Sequence, residues 1–384
     1  MFGFEEVENY YEQYWVNEEN FVVMPFTIRA REYLKKIVKD VKIKLILDNN
    51  INLAGMTYEN VSVKHAREYL SASKKYKILV SNHYAEVSKQ LDALGYREYI
   101  DYIDMHTYVS LWYWNHKKEI HVPDVHTAIT SHCSLNCVNC NMFINHYQAE
   151  KKRMMSLVEF QADYDVFFEK VAYCYKVSIL GGEPLLNKEL PDMLKWLYNK
   201  YRDKIGVIVI TTNGTILPTE ELLHVLKETK TEFRISDYSL HVPYKEKVDA
   251  FEKVLIENEI PYIMNHEMQW KDFYFPTKKQ GVDFVSEHDH MMSCNPVFRG
   301  LNDKKFYFCH ILWSAVQAGI WQEKEQDYIN LEMIQSTEDK KRLLAHDLGF
   351  IEGGSVSLCR VCGGCGVDNS CVIDAGVQEK NNIY

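Results

Sequence analysis

The chain has 384 residues, 46% of them apolar and 26% charged, with no low-complexity tract; this is the composition of ordinary globular domains, with room for two or three cores. A net charge of −10, with no Lys/Arg block interleaved with aromatics, argues against a nucleic-acid groove or an anionic membrane surface. No apolar run approaches the roughly 20 residues of a membrane span, and the acidic, aromatic start MFGFEEVENYYEQYW lacks the basic-then-apolar layout of a leader, so a cytoplasmic protein is expected.

In chain order, NFVVMPF (20–26) reads as a short buried strand and 27–40 as a helix. VKIKLILDNN (41–50) and YKILVSN (76–82) are further strands, and 83–96 has helical spacing with a glycine at its end. This alternation over roughly 1–118 implies a small parallel sheet covered on both faces. The order resembles the small Rossmann-like domains found on sugar-modifying proteins. The turn after the first strand, MPFTIRA, has none of the glycines that let backbone N–H groups approach a pyrophosphate. A docking or substrate-handling role is therefore expected, or a structural appendage, rather than dinucleotide binding. HKKEIHVPDVH (116–126) reads as a solvated linker.

From 122 onward the alternation becomes regular. Strands are predicted at 125–130, 176–180, 206–211, 232–236 and 260–264, with helices at about 157–173, 188–203, 219–229 and 244–258. Such a run suggests a full or partial barrel, with its chemistry on the loops at the C-terminal strand ends. The pattern loosens over 285–384, where six of the ten cysteines fall.

TSHCSLNCVNCNMF (130–143) follows the first of these barrel strands and places Cys133, Cys137 and Cys140 in a C-x3-C-x2-C spacing. Clustered cysteines in a reducing compartment read as metal sites. Three soft thiolates on a four-iron cluster leave one iron open to a small molecule. A zinc site completed by His132 or His146 is the alternative, although zinc sites more often pair two C-x2-C units. The spacing and its place after a barrel strand resemble the signature of the radical SAM superfamily. GGEPLL (181–186), TTNGT (211–215) and ISDYS (235–239), at the next three strand ends, agree with it.

The resemblance implies an α/β fold: a partial (β/α)6 barrel over 119–284, with the small Rossmann-like domain at 1–118 and a cluster-binding region at 285–384. It implies that S-adenosylmethionine (SAM) chelates the open iron through its amino and carboxylate groups. It further implies SAM contacts from Gly181, Gly182, Glu183, Asn213 and Ser236. Val138 stands where the family often has an aromatic residue. One electron from a flavodoxin- or ferredoxin-type donor would cleave SAM to a 5′-deoxyadenosyl radical, which takes hydrogen from an unactivated C–H bond. The protein's part is to bind, orient and exclude water.

The second cysteine set resembles the SPASM and twitch extensions of that superfamily, which hold auxiliary iron–sulfur clusters. With six cysteines, one four-iron cluster is expected on Cys294, Cys309, Cys359 and Cys362, with Cys365 and Cys371 as alternates. His288 or His290 is a conceivable ligand, and a zinc ribbon on the same residues is the competing reading. An unligated Cys365 or Cys371 could return hydrogen to a substrate radical. Cys174 reads as a buried small hydrophobe, and Trp112, Trp114 and Trp270 as packing residues.

The expected function is a radical SAM oxidoreductase that dehydrogenates or epimerises a carbohydrate or sugar-like metabolite. The alternatives are maturation of a ribosomally made peptide, against which the lack of a winged-helix pattern counts, and a non-catalytic zinc-binding module.

Overall fold

The computed structural model of the chain describes residues 3–70, 76–82, 84–276, 286–294 and 297–379. It divides into two compact units at His121/Val122. In the first, β1 (Phe21–Met24), β2 (Ile43–Asp48), β3 (Thr57–Tyr58), β4 (Val61–His65), β5 (Lys77–Val80) and β6 (Tyr102–Asp104) form one sheet. Its order is β3-β4-β2-β1-β5-β6. All neighbours run parallel except β3 and β4, which pair antiparallel. Taken alone, the parallel strands β4-β2-β1-β5-β6 follow the 3-2-1-4-5 part of the doubly wound 3-2-1-4-5-6 order. The central β1 is buried throughout, as an all-apolar run between two helix layers should be.

The turn after β1 is closed from within. Asp48 at the end of β2 accepts the Phe26 N–H at 2.8 Å and the Asn50 N–H at 2.7 Å, while Thr27 caps the helix Ile28–Ile37 by accepting from Ala30 N. The stretch read as a solvated linker is largely buried. Residues 105–117 form a helix whose face packs inward. His121 is 1% exposed and stacks on Tyr113 at 3.5 Å, and burial lowers it to about 3. Further on, His126 is buried on a barrel strand. Of the stretch's three histidines only His116 stays at the surface, beside Lys117 and Lys118. Aromatic partners made these histidines interior, a cue that local polarity conceals.

In the second unit β8 (Val125–Ala128), β9 (Tyr173–Leu180), β10 (Ile205–Thr212), β11 (Glu232–Asp237) and β12 (Tyr262–His266) run parallel in chain order, following the two-residue β7 (His121–Val122) at the division. Helices Leu157–Lys170, Leu190–Tyr201, Glu220–Thr229 and Lys245–Glu257 connect them. β13 (Gln269–Lys271) lies outside this sheet. A sixth parallel strand, β14 (Gly300–Asn302), joins the β8 edge and turns back through β15 (Lys305–Tyr307) to β16 (Tyr328–Asn330). The α/β class and the partial barrel agree with the sequence reading. The remaining strand, β17 (Val372–Asp374), pairs antiparallel with β13. Among the described residues, no helix is long and apolar enough to cross a membrane.

Arg299 ties the end region to the barrel. It is 6% exposed and Asp347 is fully buried; the guanidinium forms an ion pair with the Asp347 carboxylate and donates to the Asp347 carbonyl at 2.7 Å. Deleting one partner of such a pair strands the other charge, at about 3–5 kcal/mol. Arg299→Met should lower the unfolding free energy by that amount in a urea titration, with the slope unchanged.

Candidate functional site

The loop after β8 is held by the turn after β9. Gly182 N donates to Thr130 O at 2.7 Å and Glu183 N to His132 O at 2.8 Å. A Cβ at Gly182 would lie 2.1 Å from His132 O, and one at Gly181 2.3 Å from Thr130 O. The two glycines are what allow backbone to meet backbone here.

Glu183 is fully buried. Its carboxylate accepts from Thr212 Oγ1 at 2.8 Å, from Asn213 N at 2.9 Å and from Leu185 N at 3.2 Å. It therefore clamps the end of β10 to the glycine turn. Asn213 extends the clamp: its amide donates to Ser134 Oγ at 3.2 Å and faces Cys133 Sγ at 3.6 Å. Ser236 is buried near the end of β11, and its hydroxyl meets that of Tyr238.

Cys133, Cys137 and Cys140 are thus brought together beside three strand ends, and they feel one another's charge. Burial first, then that mutual repulsion, pushes Cys133 up to about 12 and Cys137 to about 11. N–H groups nevertheless point at the sulfurs: Leu135 N at Cys133, Gln378 Nε2 at Cys137, and the backbone of 142–144 at Cys140. Buried and half-buried thiols that repel one another yet receive N–H donors suit a cationic iron–sulfur centre. His132 is exposed. His146 shares with Asn139, Cys140, Lys271, Asp272 and Phe273 the walls of a pocket against the loop.

Phe273 also walls a second, apolar cavity, which five thiols line: Cys294, Cys309, Cys359, Cys362 and Cys365. Cys365 hydrogen-bonds to Cys294, which lowers the Cys294 thiol and raises its own. Burial raises Cys309, Cys359 and Cys362. Cys371 is exposed, outside this cavity, against Tyr274. Neither histidine is aimed at the thiols. His290 places Nδ1 on Asp368 at 2.5 Å and Nε2 on the Cys362 carbonyl at 2.9 Å, while His288 Nδ1 meets Gly354 O. Cys174 is buried on β9, and its thiol donates to Lys176 O. Among the described residues, no three His, Cys, Asp or Glu side chains close on a single metal ion.

No family model matches the chain. Among curated proteins, GTP 3',8-cyclase 1 of Mycobacterium tuberculosis (strain ATCC 25618 / H37Rv) is 31% identical over 96 residues, 24% of this chain and 26% of that protein. GTP 3',8-cyclase of Aquifex aeolicus (strain VF5) is 28% identical over 144 residues, 35% of this chain and 43% of that protein. Each of these alignments covers only part of the chain, which over that stretch is similar to GTP 3',8-cyclases. The chain spans less than half the length of those two curated relatives. Among solved structures, native anSMEcpe with bound AdoMet is similar at a TM-score of 0.42 and 17% identity, covering 63% of this chain and 89% of that one. BtrN in complex with AdoMet and 2-DOIA follows at 0.38 and 16%, covering 64% and 94%.

Two features of this candidate site escaped sequence reading. The clamp partner Thr212 had no distinguishing signal within TTNGT. Gln378 sits in a segment without any motif, and only a three-dimensional pairing could reveal it.

Burial raises Glu183 from its ordinary 4.5 to about 7. A raised carboxyl favours the folded state at low pH, and that advantage is lost as pH rises from about 4.5 to 7, by about 3 kcal/mol. Urea unfolding of the wild type against Glu183→Gln at pH 5 and pH 8 should show the difference moving in the variant's favour at pH 8.

Proposed function

We propose that Cys133, Cys137 and Cys140 hold a four-iron cluster and that the chain cleaves SAM reductively to abstract hydrogen from a small hydroxyl-bearing metabolite, a carbohydrate or a sugar-containing nucleotide. The observation that carries this reading is the gathering of three thiols at the end of β8 by the glycine turn of β9 and by Asn213 of β10. A cluster held there would supply the one-electron chemistry that splits SAM into methionine and a 5′-deoxyadenosyl radical. The chain's own groups do the rest. Gly181, Gly182 and Glu183 hold the loop's backbone, and Asn213 and Ser236 offer polar groups to SAM. The wall of Lys271, Asp272, His146 and Asn139 beside Cys140 suits a polar substrate. The sugar class also draws on the Rossmann-like order of the first unit, and the nucleotide on the names of the curated relatives. That first unit is built on a parallel sheet, unlike a winged helix, so it lends nothing to a peptide substrate.

Four of the five cavity thiols, Cys294, Cys309, Cys359 and Cys362, would hold an auxiliary four-iron cluster, with Cys365 as the alternate ligand or as a hydrogen donor. A flavodoxin- or ferredoxin-type protein would deliver the electron.

Anaerobically reconstituted, reduced protein should form 5′-deoxyadenosine from SAM, and Cys133→Ala should abolish this. A pool of sugar nucleotides, aminoglycosides and nucleoside triphosphates should stimulate it. Stimulation by a peptide pool alone would overturn the substrate class, and zinc in place of iron the whole reading. Iron analysis should give about eight atoms per chain for the wild type and about four for a Cys359→Ala/Cys362→Ala variant, the content of two clusters and of one. Cys371→Ser should leave iron content unchanged.

A further inference from the structure

The last described segment of the chain lies antiparallel along the cysteine loop through an isolated bridge. Val138 N donates to Val377 O and Glu379 N to Asn136 O, each at 2.8 Å; between them Cys137 faces Gln378 in an antiparallel bridge. The side chain of Gln378 is held at both ends. Its Oε1 accepts from Asn136 N at 2.7 Å, and its Nε2 donates to Gly376 O at 2.6 Å and to Cys137 Sγ at 3.2 Å. A backbone donor on one side and a carbonyl on the other leave a single orientation of the amide that satisfies both.

Two further contacts hold the segment. β17 pairs with β13 just before it. Gly376, at φ +76°, turns it inward where a Cβ would lie 2.6 Å from the Tyr238 Cβ. Cys140 draws N–H donors from its own loop, and Cys133 from its own loop and from Asn213; Cys137 draws on a residue 241 positions away.

We propose that Gln378 is a positioning residue that raises the reduction potential of the cluster at this loop through its N–H contact with Cys137; the proposal rests on the cluster assignment above. Reduction adds negative charge that spreads onto the cysteine sulfurs. A donor aimed at sulfur in a low-polarity pocket stabilises the reduced form more than the oxidised one. The contact therefore makes the cluster easier to reduce. It also couples that ease to the docking of residues 375–379.

Full-length Gln378→Leu and Gln378→Glu proteins, reconstituted anaerobically, separate the donor from the strap. Leucine removes the N–H at similar size; glutamate still accepts the Asn136 N–H but cannot donate while ionised. The readout is a potentiometric titration followed by the electron paramagnetic resonance signal that changes when SAM is added, with iron content measured alongside. At the wild-type midpoint, Gln378→Leu should show a reduced-to-oxidised ratio about tenfold lower, equivalent to 59 mV for one electron. Gln378→Glu should fall further, with iron content unchanged in both. Two iron-replete variants titrating at the wild-type midpoint would overturn the proposal and leave the cluster assignment standing. Iron lost from both variants, with circular dichroism intact, would also overturn it, in favour of a strap that only holds the loop. A wild-type protein without any SAM-responsive signal would sink the cluster assignment and this proposal together.

Discussion

The site depends on two stretches of backbone touching. The glycine turn after β9 presses its N–H groups onto the carbonyls of the cysteine loop at 2.7 and 2.8 Å, a separation that no side chain at Gly182 would permit. A three-cysteine loop is otherwise a flexible connector, and each of its thiols would sample many positions at an entropic cost on ordering. Backbone contact settles that cost in the protein's own folding rather than in cofactor binding. Glu183 carries the arrangement one strand further by accepting from Thr212 and Asn213, so three strand ends move as one piece.

The same economy of contacts separates the two cysteine groups. One apolar cluster, including Phe143, Phe308 and Leu358, has cysteines of both groups at its margin, and Phe273 forms part of the wall of each. Oily surroundings disfavour free thiolates, so neither group is a comfortable place for bare cysteine. The histidine that lies nearest the second group is committed to Asp368 and a carbonyl, which leaves sulfur as the ligand type available there.

What could be read in advance follows from how local each signal is. The barrel strands announce themselves as short apolar runs between helical spacings, and C-x3-C-x2-C with GGE and TNG are local strings at local turns. The helix 105–117 was hidden because its aromatic residues are buried on most sides and show no clean amphipathic period. β4 and β6 are short and gain definition only from strands far along the chain. The tail pairing at 377–379 has no apolar alternation, since it is a single bridge to three loop residues rather than a strand in a sheet. Glu183 was legible as part of a motif, but its contacts with Thr212 and Asn213 require knowing which strand lies beside β9.

The lining of the second cavity comes from chain segments as distant as Cys294 and Cys365, with Cys309 and Cys359 between them. Any polynuclear group that four of these sulfurs share would act as a covalent staple across a long stretch of chain. It would shrink the unfolded ensemble of that region much as a disulfide does. The region is short on regular structure: helices such as Glu287–Ser293 and strands of three residues make up much of it. Its mechanical integrity would then be inherited from inorganic bonds, and oxidative damage there would register as loosening of the fold before it registered as altered chemistry.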